Sequence, residues 1–325
     1  MTKLGIRSAA AALLLACMQA GAQTATSYPG KPIHLIVPSA AVSPPDVVAR
    51  ILSERLAPAL GQAVIVENRP GAIGTIGLQA VVKAASDGYT LGILAMPYVI
   101  APSLLAKVPY DMTTDLAPVT QVVWGSHLMV VRPNASYQSI GELIAFAKSK
   151  PGHVTYASGG NGTPAHLSGA LFGLRTGIDI RHIPFKSAPA GVAAVLGEQV
   201  DLMFAATAPA APQVRSGKLR ALGTTVPTRL PAFPEVPTMI ESGFPGFDTR
   251  EWLGVVAPAK VPREIIAKVA DEIVKALSSP EVKERFAAVG MDVDTPRGPE
   301  AFDKLIRSET TRWAGVVRDA GIKAE

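Results

Sequence analysis

Short apolar runs rich in valine and isoleucine alternate along the chain with stretches of helical periodicity. The runs are Ile33–Val37, Val64–Val66, Thr90–Leu94, Leu128–Val131, Val154–Ala157, Val200–Phe204 and Leu219–Thr224. Strand-like runs separated by amphipathic helices predict an α/β fold with largely parallel sheets. Several helix ends are marked. Ser139 and Glu142 have capping-box spacing and open a helix through Ala147, and Pro262 stands in the first turn of a helix reaching about Ala276. A last helix over about Pro299–Ala320 places Phe302, Leu305, Ile306, Trp313 and Val317 on one face, which assigns them to the core.

One arrangement occurs twice. Strand Ile33–Val37 runs into Pro38-Ser39-Ala40-Ala41-Val42, and Ser43-Pro44-Pro45-Asp46 opens a helix over Val47–Leu56. Strand Val154–Ala157 runs into Ser158-Gly159-Gly160-Asn161-Gly162, and Thr163-Pro164-Ala165-His166 opens a helix over Leu167–Leu174. Ser43 and Thr163 are candidate N-caps, each followed by proline at the first helical position. Loops beyond the carboxyl ends of parallel strands are where open sheets bind ligands, and helix N-termini suit anions through free N–H groups. Two such loops would act as two jaws on a carboxylate or phosphate. Gly160–Ala165 also fits G-x-G-x-x-A, but a lone match is weak and Asp179 lies close for the ribose-binding acid, so a dinucleotide is the lesser reading. The glycines also allow a tight turn with no ligand at all.

Composition narrows the class. Lys3 and Arg7 precede an apolar run to Ala16 and small residues ending in Ala20-Gly21-Ala22, the pattern of a secretory signal with cleavage after Ala22. Leu14-Leu15-Ala16-Cys17 is also similar to a lipoprotein box, with Cys17 as a lipid anchor. Cys17 is the only cysteine, so the mature chain forms no internal disulfide and its stability rests on a core. Removing residues 1–22 lowers the formal charge from +5 to +3, and the basic residues are scattered, so nucleic acid is a poor partner. No nucleophile elbow, H-E-x-x-H, Walker A sequence or metal-ligand spacing occurs, and the five histidines are dispersed. The expectation is a binding protein without cofactor or metal, and not an enzyme.

The mature chain resembles the Bug family of periplasmic receptors for tripartite tricarboxylate transport. The resemblance rests on Tyr28–Ile33, Val66–Ala72, Asp87–Leu91, Pro109–Asp111, Tyr156–Gly162, His182–Lys186, Gly217–Leu222 and Pro234–Thr238, in order. It implies a two-lobed periplasmic-binding-protein fold of type II kind, each lobe a mainly parallel sheet flanked by helices, with two crossover strands. Lobe 1 would hold residues 28–123 and 247–325, lobe 2 residues 124–246, the chain crossing near Trp124 and returning near Phe247. The resemblance also implies binding residues: Ser39, Ala40, Ser43 and Asp46 in the first loop; Met96 and Tyr98 after Leu94; Ser158, Gly160, Asn161, Thr163 and His166 in the second loop; and Phe185 and Lys186 beside the cleft. Arg69 reads as a structural ion-pairing residue.

Two departures from the family pattern matter. Val42-Ser43-Pro44-Pro45 replaces a glycine pair and threonine, and prolines supply no N–H, so the first jaw is a poorer anion grip. After Met203-Phe204 the family's acid is absent and Thr207 is the candidate contact, which removes a partner for a ligand ammonium or hydroxyl. The expected ligand is a small carboxylate, a monocarboxylate with aromatic acids as first candidates. Partners are either permease subunits or a membrane sensor, with the receptor monomeric; an exported ester hydrolase using Ser158 or Ser43 is the enzymatic alternative.

Overall fold

The computed structural model describes residues 28–293 and 297–322, so the signal sequence and Cys17 lie outside the described residues. The first run of elements is β1 (Ile33–Val37), α1 (Pro44–Leu60), β2 (Val64–Asn68), α2 (Thr75–Val82), β3 (Thr90–Ala95), short α3 (Met96–Val99) and α4 (Ala101–Leu104), and β4 (Leu116–Gly125). The second is β5 (His127–Val131), α5 (Ile140–Ser149), β6 (Val154–Ser158), α6 (Pro164–Thr176), β7 (Ile180–Pro184), α7 (Ala188–Leu196), β8 (Leu202–Ala206), α8 (Thr207–Arg215) and β9 (Arg220–Thr224). The chain then closes with β10 (Glu251–Pro258), α9 (Arg263–Ser278), α10 (Pro280–Ala288), β11 (Met291–Asp292) and α11 (Pro299–Asp319).

Two sheets result, ordered β11-β4-β10-β3-β1-β2 and β7-β6-β8-β5-β9. Strand β1 pairs parallel with β2 and β3, and β6 with β7 and β8, as helix-bearing crossovers require. The strands nearest the crossings run antiparallel: β10 with β3 and β4, β11 with β4, and β5 with β8 and β9. Each sheet is therefore mixed, its parallel half carrying the loops of interest. Ser126 alone separates β4 from β5, and β10 begins at Glu251, in register with Gly125, so the two crossings lie side by side. Phe247, near which the return was expected, still packs its ring with Phe172, Phe204 and Phe244 in the second core.

Helix α1 forms because Val48, Ala49, Ile51, Leu52 and Leu56 recur on one face and bury it, and Gly61 ends it at φ 67°. Each fully buried leucine or isoleucine contributes about 1.5–3 kcal/mol. Helix α11 returns to the first sheet through Glu309, whose Oε2 accepts Trp313 Nε1 at 2.8 Å and Trp252 Nε1 at 3.3 Å. Leu167 of α6 is buried in the first core, and Ser168 Oγ donates to Thr249 Oγ1 at 2.7 Å, so the lobes touch beside the crossing. Ser139 caps α5 as its spacing predicts, accepting Glu142 N at 3.2 Å, but Glu142 Oε2 accepts from Gln138 N at 2.6 Å. Among the described residues no helix is long and apolar enough to cross a membrane.

Candidate functional site

The two loops are built to one design. In the first, Ser43 Oγ donates to Ala40 O at 2.6 Å, Asp46 Oδ2 accepts Val42 N at 2.8 Å, and Val42 has φ 64°. In the second, Thr163 Oγ1 donates to Gly160 O at 2.7 Å, His166 Nδ1 accepts Gly162 N at 3.1 Å, and Gly162 has φ 74°. Ser43 and Thr163 thus have cap backbone geometry but make no side-chain cap bond, contrary to expectation. The left-handed residue before each turns the hydroxyl back onto its own loop, and the third helical side chain braces the loop from behind.

A neighbouring strand completes each brace. Asn68, last in β2, donates Nδ2 to Ser39 O at 3.1 Å and to Asp46 Oδ1 at 2.9 Å, while Arg50 grips both Asp46 oxygens at 3.0 Å. Burial would raise the Asp46 carboxyl, but the Arg50, Val42 and Asn68 hydrogen bonds hold it below the ordinary carboxylate range. On the other side His182 of β7 places Nε2 2.6 Å from Ser158 Oγ and stacks on His166 with ring centroids 3.8 Å apart. Burial, then the neighbouring His182, pushes the His166 imidazole down to about 3, so it is a neutral acceptor at pH 7. Asp46 and His166, expected as ligand contacts, therefore hold loop shape with the atoms expected to touch ligand. Ser158 is fully buried and also bonds Gly160 O at 2.9 Å, and the half-buried Ser43 has its Oγ 2.6 Å from Ser39 Oγ, so both serines fasten their loops.

What remains for a ligand is backbone. Helix α1 begins Pro44, Pro45, Asp46, which leaves only the Asp46 N–H in its first three positions. Helix α6 begins Pro164, Ala165, His166 and leaves two. Gly160 at φ 121° adds a turn that a side chain would strain, and a Cβ on Gly162 would come within 2.9 Å of Leu104 Cδ1, so the second loop reaches across to α4. Asn161 is half-buried and lines a cavity of about 600 Å³ with Tyr156, His166 and His182. Phe185 is half-buried and Lys186 exposed beside this loop, where Phe185 N donates to Ser158 O at 3.0 Å. Ala40 is exposed.

The other expected contacts divide. Tyr98 is buried against Gly74; burial drives its phenol well above its usual range, the Ser39 hydroxyl opposes this, and the Glu251 charge adds to it. Met96 has no exposed surface and belongs to the first core, so it cannot line a pocket here. Thr207 bonds Ser126, Oγ1 to Oγ at 2.8 Å, and faces a cavity of about 850 Å³ on the β11 side of the crossing, apart from both loops. Arg69 pairs with Glu67 at 2.9 Å, the structural role expected of it. Glu251 was missed. It opens β10 opposite Gly125, two residues before Leu253 pairs with Ala95 at the end of β3, which puts it at the base of the cleft beside Tyr98. Its signal in the sequence is an acid heading the apolar run Trp252–Ala257. Asn68 and His182 were missed as braces; each stands in the strand paired to the loop-bearing one.

Residues 48–322 match the tripartite tricarboxylate transporter family receptor. The chain belongs to this receptor family. Protein BugT of Bordetella pertussis is 40% identical over 304 residues, covering 92% of each chain. The solved periplasmic binding protein BugD superposes with TM-score 0.77 at 34% identity, covering 92% of this chain and all of that one. MatC from Rhodopseudomonas palustris with bound malate gives TM-score 0.76 at 31% identity over 89% of this chain and 100% of its own. The receptor is therefore a substrate-binding protein of the two-lobed periplasmic type and not an enzyme, which removes the hydrolase alternative. Family receptors take small carboxylates and work with transporter components.

Proposed function

We propose that this receptor captures a small carboxylate between its two loops in the periplasm and delivers it to the membrane subunits of a tripartite tricarboxylate-type transporter. The observation that carries the reading is the uncapped start of α6, where the Ala165 and His166 N–H groups follow the glycine turn at 160–162 and no side chain caps them. Such an end favours an anion by its partial positive charge and its free donors. The malate held by one relative supports a carboxylate. The lobes are taken close to the expected residues 28–123 with 247–325 and residues 124–246, with the crossings moved to Ser126 and near Thr249 because Gly125 pairs in the first sheet and Phe247 packs in the second core, and one chain completes the cleft. Because donors concentrate in one loop, the favoured ligand has one carboxylate, with aromatic acids first. Tyr98 offers the flat wall for such a ring.

Thermal-shift screening of mono-, di- and tricarboxylates, aromatic and aliphatic, followed by calorimetry, tests this. A ligand at a hundred times its Kd should add about 2.7 kcal/mol of stability. Loss of uptake of that acid on gene deletion would join binding to transport. If no carboxylate stabilises the protein at millimolar concentration, the reading fails; if tricarboxylates outbind aromatic monocarboxylates, the narrower choice fails.

A further inference from the structure

We infer that Glu251 is a specificity residue of the cleft, receiving a hydrogen-bond donor on the ligand, ammonium before hydroxyl, while the second loop holds the ligand's carboxylate. The inference rests on the carboxylate-receptor reading and names the second half of the ligand. Strand register sets Glu251 past the end of β3 at the lobe crossing, beside Tyr98 and across from Gly125, whose missing side chain leaves space: a Cβ there would lie 3.6 Å from Glu251 Oε2. The other acids beside the first loop and the crossing are engaged. Asp46 is held by Arg50, Asn68 and Val42, Asp248 by Arg250, and Glu67 by Arg69 and His34. Glu251 has no hydrogen bond or ion pair to any described residue, and burial alone pushes its carboxyl up to about 7.

A half-buried carboxylate with no partner is unfavourable for the empty protein, and its place at the base of the ligand cleft points to a partner that comes with the ligand. A cation compensates the charge fully, a hydroxyl in part. Glu251 also supplies from β10 the acid that the segment after Phe204 lacks. A second ligand carboxylate would meet like charge at this end, so the ligand chemistry is a monocarboxylate carrying an amino or hydroxyl group.

Calorimetry on purified receptor with three matched sets tests this: phenylalanine, phenyllactate and 3-phenylpropionate; alanine, lactate and propionate; glutamate, 2-hydroxyglutarate and glutarate. In the phenylalanine or the alanine set the amino acid should bind tenfold or more tighter than the member lacking a donor, with the hydroxy acid between, and the dicarboxylate set should bind more weakly than that set. Glu251→Gln should erase the ammonium advantage, and Glu251→Ala both advantages, while the affinity of the donor-free member changes less than threefold. A purely structural Glu251 would lower the melting temperature of the empty receptor when replaced by Gln; the inference expects it to rise at pH 8. Donor-free acids binding as tightly as their partners, or a preference that survives Glu251→Gln, overturns this inference and leaves the receptor reading standing. Binding of no member of any set overturns both.

Discussion

The two loops share their construction and differ in what they leave unsatisfied. Each has a left-handed residue, a hydroxyl bonded back to the loop, a third helical side chain accepting the left-handed residue's N–H, and a brace from the neighbouring parallel strand. In the first, the brace is charged and the helix starts with two prolines; in the second it is a neutral histidine stack and the helix keeps one more donor. Shape and grip are thus separate properties of these loops. The first loop is strongly held in shape yet poor in donors, the second the reverse.

The most severe way to break the comparison is to remove the charged brace. Asp46→Ala should cost about 3 kcal/mol in denaturant unfolding, because it removes a buried carboxylate that joins the Val42 N–H, the Asn68 amide and the Arg50 guanidinium. His166→Ala should cost about 2 kcal/mol, from one lost acceptor and the void beside His182. Grip should respond differently. Ala165→Pro, which removes a donor and keeps the proline-started helix, should weaken carboxylate binding about thirtyfold by calorimetry, the worth of a hydrogen bond to a charged group. Pro45→Ala should strengthen it up to about tenfold by restoring the matching N–H to the first loop.

The positions of both loops were legible, because a hydroxyl residue followed by proline after an apolar strand marks a helix start. The limits of β1 were legible for the same kind of reason, since a run rich in β-branched residues has sharp ends, and those of β9 were met to within a residue. What Ser43 and Thr163 bond to was not, because that depends on the preceding residue being left-handed, and a valine at position 42 argues against it. Asn68, His182 and Glu251 were hidden because strand pairing brings them to the loops from distant positions. Sequence spacing carries no trace of that pairing.

Acid should sharpen the comparison further. His166 is neutral when folded, near 3 against 6.5 when free, so the stability it contributes is complete above pH 6.5 and is lost as pH falls from there towards 3. At pH 5 the loss from this group is about 2 kcal/mol. Asp46 acts lower: its folded carboxyl lies below 3.8, so its contribution holds above that value and is lost only beneath it. Hydrogen exchange at pH 5 should therefore open the second loop before the first. The smallest effects concern the left-handed residues. Val42→Gly should stabilise by about 1 kcal/mol by relieving a β-branched residue at positive φ, whereas Gly162→Ala should destabilise by a similar amount.

Strand β10 lies between β3 and β4 in the middle of the first sheet, yet begins at Glu251, and α11 with its Glu309 clasp follows later still. The second sheet is drawn from one unbroken stretch of chain, β5 to β9. During synthesis or refolding the second lobe can therefore assemble from neighbouring residues alone. The first must keep an open seam between β3 and β4, exposed to wrong strand partners, until the C-terminal third of the polypeptide arrives to close it.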